Sequence, residues 1–340
     1  MAAGPAVTLP LLVMEAPLGL AGPAADPFKP VMRALHPAGG VSACGVAHMQ
    51  GMRGAMEDAY AACPVPGSPF LFLCVLDGHG GRAVADFAAL RLLPCILATP
   101  QWAAAAAGGF VDSCALQAAL QAGFAACDAA AYQALGAAGE RSGACALAAL
   151  VSPQCTIVAN CGDCRAVLAG TALSTDHRPD APSERARLAP LAGAAAVAGK
   201  SGYFQGLAVS RSLGDFRTKL DHARAAAGSL PPLLPAQQQT VTSNPEVVVV
   251  AAAAAATASS GTPPLLVMGC DGVWDVFSSQ EAAELVAAAH AGGAAPEACA
   301  AALIQQCLER GSNDNLTALV AVLGPLQSAA GGEGGQPVTE

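Results

Sequence analysis

The sequence predicts a single α+β domain over residues 41–326. Apolar residues make up 54% of the 340, enough for a sizeable core. Short apolar runs suited to buried strands come in pairs and are interleaved with helical spacing, without regular strand–helix–strand alternation. No repeat recurs at a solenoid or propeller period. Outside the domain, residues 1–40 are rich in Ala, Pro and Gly and read as a flexible leader, and residues 327–340 as a disordered tail.

In chain order, Phe70–Leu76 is a continuous apolar run expected to be a buried strand. Asp77-Gly78-His79-Gly80-Gly81 then marks a tight connection into a helix over Arg82–Leu93, where Val84, Phe87, Ala88 and Leu92 share a face. A second helical region runs from Gly109 to Leu135. Cys145–Val151 and Cys155–Asn160, joined by Ser152-Pro153-Gln154, suit a hairpin, and Arg165–Ala169 a further short strand. Later come a strand over Pro264–Gly269, helices over Ser279–His290 and Pro296–Arg310, and a closing strand over Leu316–Leu323. Ala223–Gln239 and Ala251–Thr262 are low-complexity stretches expected as surface insertions.

The formal net charge of −9 argues against a nucleic-acid partner. Mean hydropathy is +0.46, and Leu92–Val111, Ser142–Gly162 and Val247–Cys270 are uncharged. Each is interrupted by proline or a polar turn and owes much of its apolarity to alanine, so no membrane insertion is expected. The first 40 residues lack the basic patch and unbroken apolar core of a secretory signal. Thirteen cysteines then read as reduced, buried small hydrophobes in a cytoplasmic or nuclear protein. With no heptad run or large repeated apolar face, a monomer is expected.

Carboxylates are scarce, and several fall at strand ends beside glycine. Asp77 follows the Phe70–Leu76 run, Asp271 follows Leu265–Cys270, and Asp314 precedes Leu316–Leu323; Glu57-Asp58 adds a further acidic pair. A buried strand that ends in a carboxylate projects it from a rigid base into a shared cleft. Clustered carboxylates repel one another, and a hard divalent cation with oxygen ligands offsets that repulsion. No zinc-type Cys/His spacing is present, so Mg²⁺ or Mn²⁺ is expected. Two such ions about 3.5–4 Å apart would activate a water for attack on a phosphoester. His79, two residues from Asp77, is placed to protonate the leaving oxygen.

Six motifs carry a family resemblance: Arg53-Gly54-Ala55-Met56-Glu57-Asp58, Asp77-Gly78-His79-Gly80-Gly81, Cys161-Gly162-Asp163-Cys164-Arg165, Ala208 to Asp215, Cys270-Asp271-Gly272-Val273-Trp274-Asp275 and Asn313-Asp314-Asn315. In this order, over about Gly45–Val322, they resemble the metal-dependent type 2C protein Ser/Thr phosphatases. The resemblance implies a four-layer αββα sandwich of two antiparallel sheets flanked by helices, with a two-metal site at one edge and phosphorylated proteins as substrates. By position, Asp77 resembles the carboxylate that bridges both metals, Gly78 the backbone carbonyl ligand, and Asp271 and Asp314 ligands on the other side of one ion. Glu57, Asp58 and Asp275 would mostly hold metal-bound waters. Arg53 matches the phosphate-binding arginine, whose planar fork suits two phosphate oxygens. His79 matches the proposed general acid, and no phosphoenzyme is implied.

Two departures stand out. Glu140-Arg141-Ser142-Gly143-Ala144-Cys145-Ala146 begins with Glu where relatives often have an Asp that holds a third, weakly bound metal. Glu140 keeps the charge and adds a methylene, which makes it the candidate third ligand. Cys164 replaces the usual serine and creates Cys161-x-x-Cys164; without a thioredoxin-like context this reads as two unrelated cysteines rather than a disulfide. Arg165 and Arg211 read as loop braces paired with Asp163 and Asp215. Two other functions stay open: a weak or inactive phosphatase-like binding scaffold, and a two-metal hydrolase of small phosphoesters. The flap region around Gly193–Leu207 carries no readable substrate code.

Overall fold

The computed structural model describes residues 26–192, 202–224, 230–251 and 263–324. In chain order its strands are β1 (Val31–Leu35), β2 (Val41–Met49), β3 (Ala59–Pro64), β4 (Leu71–His79), β5 (Gly143–Val151), β6 (Cys155–Cys161), β7 (Arg165–Leu168), β8 (Thr171–Ala172), β9 (Leu213–Gly214), β10 (Glu246–Ala251), β11 (Leu265–Gly269) and β12 (Leu316–Leu323). The helices are α1 (Ala83–Leu97), α2 (Pro100–Ala107), α3 (Ser113–Leu135), α4 (Pro182–Ala192), α5 (Asp271–Trp274), α6 (Ser279–Ala291) and α7 (Pro296–Glu309).

One sheet has the order β1-β2-β12-β11-β7-β8 and the other β10-β6-β5-β4-β3, with β9 on the end of β5; all pairings between these strands are antiparallel. The period of two along each strand decides the layering. On β4, Phe72, Cys74 and Leu76 pack under α1–α3, whereas Leu71, Leu73 and Val75 enter the core between the sheets. On β12, Leu316, Ala318 and Val320 pack against α6 and α7, and Leu319 and Ala321 enter the inter-sheet core. The result is the expected four-layer αββα sandwich. β5 is buried along its whole length, as a strand covered on both faces must be.

The same alternation places Asp77 in line with Leu73 and Val75, on the inter-sheet side, with Cys145 opposite it on β5. The ends of β4 and β11 and the start of β12 come together at one edge of the sandwich.

Several expectations need correction. The leader does not extend to residue 40: Val31–Leu35 pairs with Cys44–His48 and adds a strand to the sheet. β2 and β3 carry Ser, Gly, Ala and Cys rather than a continuous branched apolar run, which hid them. The second helix starts at Ser113, where the Asp112 side chain accepts from the Cys114 and Ala115 N–H groups. α1 continues through Pro94 to Leu97. Part of the Ala223–Gln239 insertion packs on the domain: the Tyr132 hydroxyl donates to the Pro231 carbonyl at 2.6 Å, and Gln239 is buried. Residues 1–25, 193–201, 225–229, 252–262 and 325–340, which take in most of the leader and of the second insertion, part of the flap and the tail, lie outside the described residues.

Cys161 packs under the helices and Cys164 between the sheets, so the two thiols serve different layers. Among the described residues no single helix is long and apolar enough to cross a membrane; α1 and α2 reach that length only together, bent by 54°.

Candidate active site

Both sheets contribute carboxylates to one cavity of about 220 Å³, lined by Arg53, Asp77, Gly78, His79, Asp163, Asp271 and Asp314 among others. Carboxylate oxygens of Asp77, Asp163 and Asp271 lie within 4.8 Å of one another. Asp77 comes from the end of β4, Asp271 from the residues just after β11, and Asp163 from the crossover between β6 and β7. The Asp271 N–H donates to Asp77 Oδ2 at 3.4 Å, a long link between the sheets.

Asp58, just before β3, is buried and accepts from the Thr317 hydroxyl of β12 at 2.6 Å. Its second oxygen, Oδ1, is buried and has no hydrogen-bond partner among the described residues. Asn315 clamps the Glu57 segment: its Oδ1 accepts from the Glu57 N–H at 2.8 Å, and its Nδ2 donates to the carbonyls of Gln50 and Ala55. Gly78 lies so close to the Glu57 carbonyl that a side chain there would collide with it, which explains the glycine.

Burial, reinforced by the neighbouring carboxylates, raises the Asp77 and Asp271 carboxyls above their ordinary value. Asp58 is also raised, by burial and then by Asp314, against the hydrogen bond from Thr317. An orphaned buried oxygen and a knot of mutually repelling carboxylates are the features a hard cation would satisfy, so these residues fit a divalent metal. Cys270 Sγ lies beside Asp58 and Asp77. Its thiol is engaged elsewhere, donating to the Asn315 carbonyl at 3.4 Å and accepting from the Thr317 N–H at 3.2 Å.

Arg53 Nη2 donates to Asp314 Oδ2 at 2.6 Å, and among the described residues the other donors of its fork have no protein partner, which leaves them for a ligand. His79 Nε2 lies 2.8 Å from Asp215 Oδ2. Burial disfavours the charged imidazole, but the hydrogen bond and charge of Asp215, with Asp163 and Glu57, outweigh it and raise His79 above its ordinary value.

Other expected residues are placed differently. Glu140 Oε1 accepts from the Arg141 and Ser142 N–H groups, and Glu140 belongs to neither carboxylate grouping. Asp275 pairs with Arg178 at 2.8 Å; the same guanidinium lies 3.2 Å from Asp163, so Arg178 bridges two carboxylates at the rim. The expected braces take other partners. Arg165 pairs with Asp176 and Arg211 with Glu184, and this releases Asp163 to the carboxylate group and Asp215 to His79. The signal for both aspartates was present as a glycine immediately before each, at Gly162 and Gly214, with φ of 128° and 75°.

Similarity to known proteins agrees with this geometry. A family model described as protein phosphatase 2C matches residues 42–316. Probable protein phosphatase 1N of Mus musculus is 35% identical over 81% of this chain and 63% of its own length. Probable protein phosphatase 2C 22 of Arabidopsis thaliana is 32% identical over 81% and 67%. Protein phosphatase 1A of Homo sapiens is 30% identical over 81% and 69%. The chain thus spans about two thirds of the length of these curated relatives. Among solved structures, a serine-threonine phosphatase 2C from Toxoplasma gondii superimposes with a TM-score of 0.63 at 19% identity, over 86% of this chain and 99% of that one. With the family model matching most of the chain and relatives 30–35% identical, the chain belongs to the protein phosphatase 2C family.

Proposed function

We propose that this chain is a metal-dependent protein phosphatase that hydrolyses phosphoserine and phosphothreonine. The observation that carries the reading is the convergence of Asp77, Asp163 and Asp271 oxygens within 4.8 Å, in a cavity also lined by Arg53 and His79. Asp77, Asp271 and Asp314, with the Gly78 carbonyl, would hold two Mg²⁺ or Mn²⁺ ions. Glu57, Asp58 and Asp275 would act mostly through metal-bound waters, Asp163 joins the ligand candidates, and Glu140 is the candidate for a third ion. Bound ions of this kind supply Lewis-acid stabilisation of the phosphoryl oxygens and a water nucleophile at neutral pH.

The chain's own residues supply the rest. Arg53 binds the phosphate through the donors that Asp314 leaves free, and so fixes phosphorus over the carboxylate cluster. His79 gives a proton to the departing serine or threonine oxygen, which leaves poorly as an alkoxide. Tyr203 and Leu207 border the same cavity and limit access to the phosphate. The many buried thiols suit a reducing compartment, cytoplasm or nucleus.

The test is phosphate release from a phosphothreonine peptide with Mn²⁺ or Mg²⁺ and with EDTA, for wild type, Asp77→Asn and Asp271→Asn. Metal-dependent turnover that falls by at least about 10³-fold in both variants is expected. Failure of the folded, metal-supplied wild type to release phosphate would sink the reading and favour a binding scaffold. A strong preference for small phosphomonoesters over phosphopeptides would move it to the small-phosphoester class.

A further inference from the structure

We propose that Asp215 is a positioning residue for proton delivery by His79, an inference that rests on the phosphatase reading above. Asp215 Oδ2 lies 2.8 Å from His79 Nε2. An imidazole has two nitrogens, and among the described residues Nδ1 has no protein partner. With Nε2 held by Asp215, Nδ1 is the nitrogen that delivers the proton into the cavity His79 lines.

Asp215 is itself anchored. The Ser212 hydroxyl donates to the same Oδ2 at 2.6 Å. Asp215 is only 7% exposed and sits in the left-handed region at φ 49°, a conformation a non-glycine residue adopts when its surroundings hold it there. The loop is tied to α3 on both sides of it. Asp128 accepts from the Gly214 N–H at 2.7 Å and from Lys219 Nζ at 2.9 Å, and Lys219 Nζ also donates to the Ser212 carbonyl at 2.8 Å. Lys219 and Asp128 are both buried, and separating such a pair strands an uncompensated charge. Gly143 lies against the His79–Asp215 contact so closely that a side chain there would strike both groups.

In the step, a water oxygen bonds to phosphorus while the bond from phosphorus to the serine or threonine oxygen breaks. The electron pair of the broken bond leaves with that oxygen, which takes the proton from Nδ1; the proton lost by the water returns to the imidazole through solvent. Asp215 exchanges no proton. It fixes the ring's rotation and determines which nitrogen meets the substrate, as an orienting carboxylate does in other histidine-dependent sites.

Steady-state kinetics on two substrates test this. A threonine oxygen needs protonation to leave, whereas p-nitrophenolate does not. Asp215→Asn is expected to lower kcat on a phosphothreonine peptide about 100-fold and on p-nitrophenyl phosphate by less than about tenfold, with KM changed by less than about twofold. His79→Gln gives the same split, and the double variant is no slower than His79→Gln alone, because the two act as one unit. Ser212→Ala, which leaves both partners in place, gives a milder split in the same sense; should Asp215→Asn fail to fold, this variant decides. Equal losses on both substrates, additive losses in the double variant, or no loss would each overturn the proposal. Active wild type with no split in His79→Gln overturns it alone, whereas inactive wild type overturns the phosphatase reading and this proposal with it.

Discussion

Burial, and then the charges of Asp163, Asp314 and Asp275, disfavour the charged form of Asp271 and raise its carboxyl above the ordinary value. A neutral isostere removes that opposition. Asp271→Asn is therefore expected to stabilise the metal-free protein by about 1 kcal/mol, seen as a rise in Tm of about 2 °C in EDTA. With Mg²⁺ or Mn²⁺ in excess the order reverses, because wild type gains stability from the ion and the variant gains less. An unchanged Tm in EDTA would show that the repulsion is already relieved in some other way. At Gly143, alanine would place a methyl group against Asp215 and His79. The expected cost is about 1–3 kcal/mol in denaturant unfolding, with turnover down by up to about 10²-fold from the displaced imidazole. The carboxylates at strand ends were legible because the chain has so few acids and sets Asp77 and Asp271 beside glycine. Asp163 and Asp215 were misread because an arginine close by in sequence offered a local partner, whereas His79, the partner Asp215 takes, lies 136 residues away.

Among the elements, α4 shows how a helix with little apolar character is held. Its Glu184 is buried and accepts from Arg187, from the Arg211 guanidinium at 3.0 and 2.6 Å and from the Ser210 hydroxyl. Burial alone would raise this carboxyl, but the two arginines overcome it and hold it at about 2. The stabilisation is therefore complete above about pH 4.5, the ordinary glutamate value, and is lost as pH falls towards 2. Glu184→Gln should cost about 3–5 kcal/mol at pH 7, since two guanidinium groups lose their counter-charge. Urea unfolding at pH 7, 4 and 3 should show that difference shrinking; a pH-independent difference would assign the loss to packing. Strands with continuous apolar sequence, β4, β5, β6, β11 and β12, were legible as such, since burial on both faces leaves no polar alternation to confuse with a helix. β1 was not legible: Val31–Leu35 is largely exposed at the sheet edge, and tertiary pairing with β2 rather than its own pattern makes it a strand.

At the scale of the whole molecule, the site is the seam between two sheets, and its ligand candidates come from both. The four-layer arrangement was legible only through the motifs, because periodicity identifies strands but not which sheet each one joins. β12 lies between β2 and β11, and Thr317 of β12 donates to Asp58, 259 residues earlier in the chain. During synthesis, β2 and β11 are made first and wait with unpaired edges until β12 leaves the ribosome. At typical elongation rates the interval between β2 and β12 is on the order of tens of seconds. A nascent chain stalled before residue 316 thus has both an incomplete seam and two exposed sheet edges, the surfaces that chaperones cover and that aggregation exploits.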